Sequence, residues 1–281
     1  MTTTRSYPPG QEITANTEPT RKSFPLFVVG GRFMSRSQLA LASLYWLAWL
    51  SVSRRSAVGT GIEREFESLG LNALRFVAVA SVLVGLIAIF QVAYQLAAYS
   101  AEVMSVRAIG WFAARELGPL GVALMIIARS AAGISGELAS MRASGEIDAL
   151  RAMGLDPVKY LVAPKLTALL IAVPALTVLS DGLITLGGWI GGTLFLKFST
   201  AYFFTQFRLA FQVRDLFVGL AKSVVFAFII VIAAADEGLN VESRVAAIGE
   251  ATTRAVVYAS IGVLAVDTMV NAIFYFIPVL V

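Results

Sequence analysis

The stretch RELGPLGVALMIIARSAAGISGELASMRASGEIDALRAMGLDP, residues 115–157, decides the fold. It opens with Arg115 and Glu116 set inside apolar sequence, then crosses an apolar run from Leu117 to Ala132. From Glu137 to Met153 the pattern turns polar and amphipathic, and Gly154 with Asp156 and Pro157 closes it. The first half reads as a membrane-buried helix. The second half, about residues 137–154, reads as a helix outside the bilayer. A membrane helix leading directly into such a surface helix is what a transport subunit needs to sense a soluble motor.

The surface segment follows helix logic. Ser144 suits an N-cap. Glu146 and Asp148 fall in the first turn and Arg151 in the last, which complements the helix dipole. Gly154 suits the left-handed position that ends a helix. Ile147, Leu150 and Met153 recur at i, i+3 and make a small apolar face.

Composition sets the class. Of 281 residues, 58% are apolar and only 14% charged, against about 25% charged in soluble domains. With several long apolar runs, the chain reads as an all-α, polytopic membrane protein. It has no cysteine, which excludes disulfide and thiolate chemistry. It has no histidine, which removes the commonest general base and metal ligand.

Residues 1–25 are polar and lack the apolar run of a signal peptide, so they are expected to form a disordered cytoplasmic tail. Residues 26–70 hold a shorter apolar piece, Leu39 to Val52, flanked by Arg32, Arg36, Arg54 and Arg55. That is too short for an ordinary span, and Tyr45, Trp46 and Trp49 suit headgroup level, so an interfacial or elbow helix is expected. Residues 71–281 then form the membrane domain. Its five spans are expected at about Leu74–Ala97, Arg107–Gly133, Leu161–Ile190, Leu216–Ala235 and Ala255–Ile277. Pro164 and Pro174 interrupt the third span, and Gly187, Gly188, Gly191 and Gly192 allow close backbone approach or end it. The aromatic residues 193–214 read as an interfacial loop or short helix. Fourteen Lys and Arg fall on the side of the N-terminus and four on the other. By the positive-inside rule the N-terminus is cytoplasmic and the C-terminus is not.

Charges inside spans are the candidates for chemistry. Arg115 and Glu116 are expected to line a polar patch in a cavity between helices, or else to snorkel to headgroups. Adjacent helical residues point about 100° apart, so these two need not pair. Pro119 predicts a local distortion. Lys222 is expected on the same side, meeting Glu116, an anionic headgroup or the interface. Asp181 and Asp267 read as hydrogen-bonding glue between helices, and Arg129 and Lys165 as interfacial anchors. No nucleotide-binding G-x-x-x-x-G-K-[ST] occurs, so this chain is not expected to hydrolyse ATP itself. No zinc pattern, G-x-S-x-G or nucleic-acid signature is present.

Several ordered motifs carry a family resemblance. They are Arg115-Glu116-Leu117-Gly118-Pro119, Glu137-Leu138, Met141-Arg142, Glu146 to Leu150, Met153-Gly154 with Asp156-Pro157, Lys222 to Ala227, and Gly249 with Ala251 to Val257. From about Leu74 onward the chain resembles the MlaE/YrbE/TGD-type permeases of lipid-trafficking ABC transporters, the Mla and Mce-associated systems, and is nearest the MlaE branch. The resemblance implies a non-catalytic permease subunit in the bacterial inner membrane, working as a homodimer. It implies a separate ABC ATPase, a STAS-domain protein bound to that ATPase, and a periplasmic ring of MCE-domain protein. The substrate it implies is phospholipid passing between inner and outer membranes. Arg115, Glu116 and Lys222 would then surround the headgroup, with Gln91 and Tyr94 nearby and Leu86 and Phe90 on the acyl chains. Glu137, Arg142, Glu146, Asp148, Leu150, Arg151 and Met153 would meet the ATPase. Two other classes compete. A membrane scaffold has little use for charges at membrane depth, and an intramembrane hydrolase lacks its nucleophile and base.

Overall fold

The computed structural model describes residues 38–45, 56–101, 104–241 and 245–276. Among them the regular structure is entirely helical. A short helix, α1, covers residues 38–45. It falls in the segment expected to lie at the interface. The rest of that segment, residues 46–52, and the expected tail at 1–25 lie outside the described residues.

The second helical element, α2, starts with Ser56–Glu65 and reaches its membrane part, Leu74–Ala97, through a π turn and a 3-10 turn. Next come α3 (Ser105–Ala143), the short α4 (Glu146–Ala152) and α5 (Val158–Leu194). The chain continues through α6 (Thr200–Ala210), α7 (Val213–Leu239) and α8 (Val245–Phe276). Among the described residues, α2, α3, α5, α7 and α8 are long and apolar enough to cross a bilayer. These are the five expected spans. Most run longer than expected because each helix continues past its apolar core.

Small residues set how closely the helices approach. The buried stripe of α2 is Val77, Ser81, Gly85, Ile89 and Ala93, one residue in every four. It packs on α5. A side chain at Gly85 would collide with the backbone of Ile184, and one at Gly187 with the carbonyl of Val82. Between these crossings Ser81 and Ser180 share a hydrogen bond of 2.8 Å. Gly187 and Gly191 of α5, where a Cβ would strike Val82 and Ile89, therefore serve close approach, and the helix runs on to Leu194. α8 repeats the pattern with Ala251, Ala255, Ala259, Val263 and Asp267 buried. In lipid there is no hydrophobic drive between helices, so close packing of small residues carries association.

The two ends of the bundle differ. At one end, α6 is capped by Ser199, whose hydroxyl accepts from the Tyr202 amide. Its Phe203 is buried among aromatic neighbours. At the other end, α3 breaks at Gly145, which has φ of 79°, and α4 follows. Gly145, rather than Ser144, occupies the N-cap position. The Ser144 hydroxyl instead donates to Glu146 Oε1 at 2.8 Å. Gly154 has φ of 74°, and the Leu155 amide returns to the Leu150 carbonyl at 3.0 Å. The expected single helix over 137–154 is thus two pieces. Glu137 and Arg142 belong to the long α3, because a left-handed glycine turns the chain between them and α4.

Candidate functional site

Pro119 organises the polar centre. It has no amide hydrogen, so it cannot donate to the carbonyls of the preceding turn. The residues before it, Ala113–Leu117, widen into a π turn, and the Gly118 amide bonds the Ala113 carbonyl. The Ala114 and Arg115 carbonyls both lose Pro119 as a donor. Both face α7. A side chain at Gly219 of α7 would strike the Ala114 carbonyl, so only glycine allows this approach. One helical turn further, Lys222 donates to the Arg115 carbonyl at 3.3 Å.

Lys222 is buried, with 2% of its side chain exposed. Its ammonium lies 2.6 Å from Glu116 Oε1, 2.7 Å from Asn271 Oδ1 and 2.9 Å from Asp267 Oδ1. One cation therefore ties α3, α7 and α8 together. Beside it, Arg115 Nε donates to Asp215 Oδ1 at 2.7 Å, and Asp215 is buried. The Arg115 guanidinium also stands over the Trp111 ring, 5.2 Å from its centroid. Arg115 and Glu116 pair with different partners, as their angular separation allows.

These groups form the polar patch of a cavity of about 770 Å³. Its other walls are largely apolar and include Val84, Trp111, Leu120, Leu124 and Phe274. That size is ordinary for a site that encloses a small or elongated apolar ligand.

The structure brings Arg115, Glu116 and Lys222 together, but leaves the named first-span residues outside. Leu86 and Phe90 lie near Gly191 of α5, and Phe90 meets the Phe195 ring edge-on. Gln91 and Tyr94 are exposed. The cause is the stripe of α2 that packs on α5, which turns Val84 toward the cavity and these four elsewhere. Asp267 joins helices through its ion pair with Lys222 rather than through a hydrogen bond across helices. Asp181 does not: neither of its oxygens has a partner among the described residues, and it sits against Gly118, where no side chain intervenes. Asp215 and Asn271 were not legible as site residues. Each lies near a span end, and each meets its partner only through the fold.

At the α4 end, Lys165 is 2% exposed and bridges Glu65 at 2.8 Å and Glu137 at 2.7 Å. It is a buried tie between α2, α3 and α5, not an interfacial anchor. Its place about two turns into α5 faces it toward two carboxylates rather than toward headgroups. On α4, Asp148 pairs with Arg142 at 2.5 Å and lies 3.6 Å from Arg151. Ile147 is buried, Leu150 half-buried and Met153 exposed. The apolar face is therefore divided, with one end holding α4 to the bundle and the other facing out. Glu146, Asp148 and Arg151 are exposed.

Residues 62–273 match the family model described as Permease MlaE. The chain belongs to the MlaE permease family. A probable ABC transporter permease protein of Rickettsia felis is 34% identical over 76% of this chain and 83% of its own length. The intermembrane phospholipid transport system permease protein MlaE of Haemophilus influenzae is 27% identical over 75% of this chain and 82% of its own. The chloroplastic protein trigalactosyldiacylglycerol 1 of Arabidopsis thaliana is 27% identical over 57% of this chain and 46% of its own. The matched region of this MlaE-family chain holds all five spans, the π turn at Arg115 and the buried Lys222.

Proposed function

We propose that this chain is the permease subunit of an ABC transporter that moves phospholipid between the inner and outer membranes. One observation carries the reading: an apolar cavity of about 770 Å³, inside a membrane bundle, with charged groups held at its wall. Apolar walls suit acyl chains, and the charged patch suits a headgroup. A charged group at membrane depth costs about 2.5–3.5 kcal/mol on insertion scales, so such residues are retained where they serve a cavity or a partner. The phospholipid named in the Haemophilus relative supports the substrate class.

The motor is a separate ABC ATPase that binds ATP and docks on α4. The exposed acids, Arg151 and Met153 offer it a mixed surface. A second copy of this chain faces the cavity, a STAS-domain protein attends the ATPase, and an MCE-domain ring covers the opposite end. The α4 end lies in the cytoplasm and the α6 end outside the inner membrane.

The test has two parts. The tagged chain is purified from its own membranes and its partners identified by mass spectrometry. A photo-crosslinking residue is then placed at Leu120, in the cavity, and at Leu264, an exposed position on α8. Phospholipid captured at Leu120 in a manner that changes when ATP hydrolysis is trapped supports the reading. An absent ATPase, or equal and unchanging capture at both positions, opposes it.

A further inference from the structure

The charge arrangement in the cavity bears on which headgroup it takes, an inference that rests on the lipid-permease reading. Lys222 has three N–H donors and three hydrogen-bond acceptors, Glu116 Oε1, Asn271 Oδ1 and the Arg115 carbonyl, with Asp267 Oδ1 2.9 Å away as an ion-pair partner. It has no donor left for a phosphate. Arg115 differs. Its Nε is committed to Asp215, but Nη1 and Nη2 have no partner among the described residues, and Arg115 lines the cavity. Glu116 also lines the cavity; Lys222 donates to its Oε1 and the Asn271 side chain lies within hydrogen-bond reach, which leaves lone pairs on a carboxylate that can accept about four bonds. The cavity wall therefore offers one open cationic edge and one carboxylate with acceptor capacity to spare on adjacent residues.

The total charge points the same way. The cluster holds two cations, Arg115 and Lys222, and three carboxylates, Glu116, Asp215 and Asp267. A headgroup with net negative charge would add to an excess already present, at low dielectric. A headgroup with no net charge and a separate ammonium would not. We propose that the cavity selects zwitterionic phospholipids bearing a primary ammonium, with the phosphate on the guanidinium edge of Arg115 and the ammonium donating to the Glu116 carboxylate. A quaternary ammonium has no N–H to donate there, and an anionic headgroup has no cation to place there.

The test uses the full transporter in native-lipid nanodiscs. Three phospholipids with the same photoreactive acyl chain are compared, carrying ethanolamine, choline or glycerol headgroups. Crosslinks are mapped to the peptide containing Leu120 and, as the bulk-lipid reference, to that containing Leu264. The ethanolamine lipid should label the cavity about tenfold over the other two, the scale of one charge-assisted hydrogen bond. Glu116→Gln keeps an oxygen for Lys222 and should reduce that preference to about twofold or less. Equal cavity labelling by all three lipids, or a preference for the glycerol lipid, overturns the headgroup proposal and leaves the lipid cavity standing. Cavity labelling no higher than at Leu264 overturns both. If Glu116→Gln fails to fold, the three-lipid comparison on the unaltered chain still decides.

Discussion

Lys222 of the fourth span donates to the backbone carbonyl of Arg115 on the second, 3.3 Å away, and that carbonyl lacks its usual helical donor because residue 119 is proline. A sequence-level irregularity thus becomes a contact between helices. The same ammonium pairs with both Glu116 and Asp267. Removing it leaves two carboxylates buried without a cation. Lys222→Met should destabilise the permease by about 3–5 kcal/mol, the usual cost of breaking a buried pair from one side. Adding Glu116→Gln and Asp267→Asn should restore much of that loss. Unfolding titrations in mixed micelles measure both, and an unaffected Lys222→Met would contradict the hub assignment.

Helix approach gives a second expectation. Gly85→Val forces a side chain into the Ile184 backbone and should cost about 1–3 kcal/mol or more as α2 and α5 separate. Gly182→Ala has open space around it and should be neutral or slightly stabilising. The yield of monodisperse protein and its thermal midpoint distinguish the two.

Much of this was legible in the chain, and the remainder was not for a physical reason. The spans announce themselves through long apolar runs, and Pro119 announces its distortion. Gly154 announces the end of α4. Pairings such as Arg115 with Asp215 and Lys165 with Glu65 join residues a hundred positions apart, where periodicity carries no information. Lys165 looks like an anchor in sequence because it lies near a span end. Only the fold shows two carboxylates converging on it. Likewise, Leu86, Phe90, Gln91 and Tyr94 suit a cavity by composition, but the small-residue stripe of α2 decides which way that helix faces.

Orientation can be read chemically because the chain has no cysteine. Ser144→Cys beside α4 and Thr205→Cys on α6 occupy exposed positions at opposite ends of the bundle. A membrane-impermeant maleimide should label the Thr205 site in spheroplasts, and the Ser144 site only after permeabilisation. Labelling of both without permeabilisation would refute the proposed topology.

The docking role of α4 predicts an uncoupled but folded permease. Glu146 and Asp148 are exposed, and exposed ion pairs contribute at most about 1 kcal/mol. Glu146→Lys with Asp148→Lys should leave the thermal midpoint within a few degrees of wild type and reduce co-purified ATPase about tenfold or more. Unchanged ATPase recovery, together with unchanged lipid-stimulated hydrolysis, would remove α4 from the docking surface.

The central claim is that lipid passes through the cavity beside Arg115 and Lys222. Gly121 lines that cavity, and a Cβ added there meets nothing within 4 Å. Gly121→Trp should therefore fill the space without disturbing helix packing, and Gly121→Ala should leave it open. The measurement is transfer of fluorescent phospholipid by the purified complex in vesicles, with folding and ATPase assembly checked in parallel. The account predicts that Gly121→Trp assembles normally and loses at least about 90% of transfer while Gly121→Ala retains it, a tenfold change. Transfer at the wild-type rate through an assembled Gly121→Trp complex would contradict it.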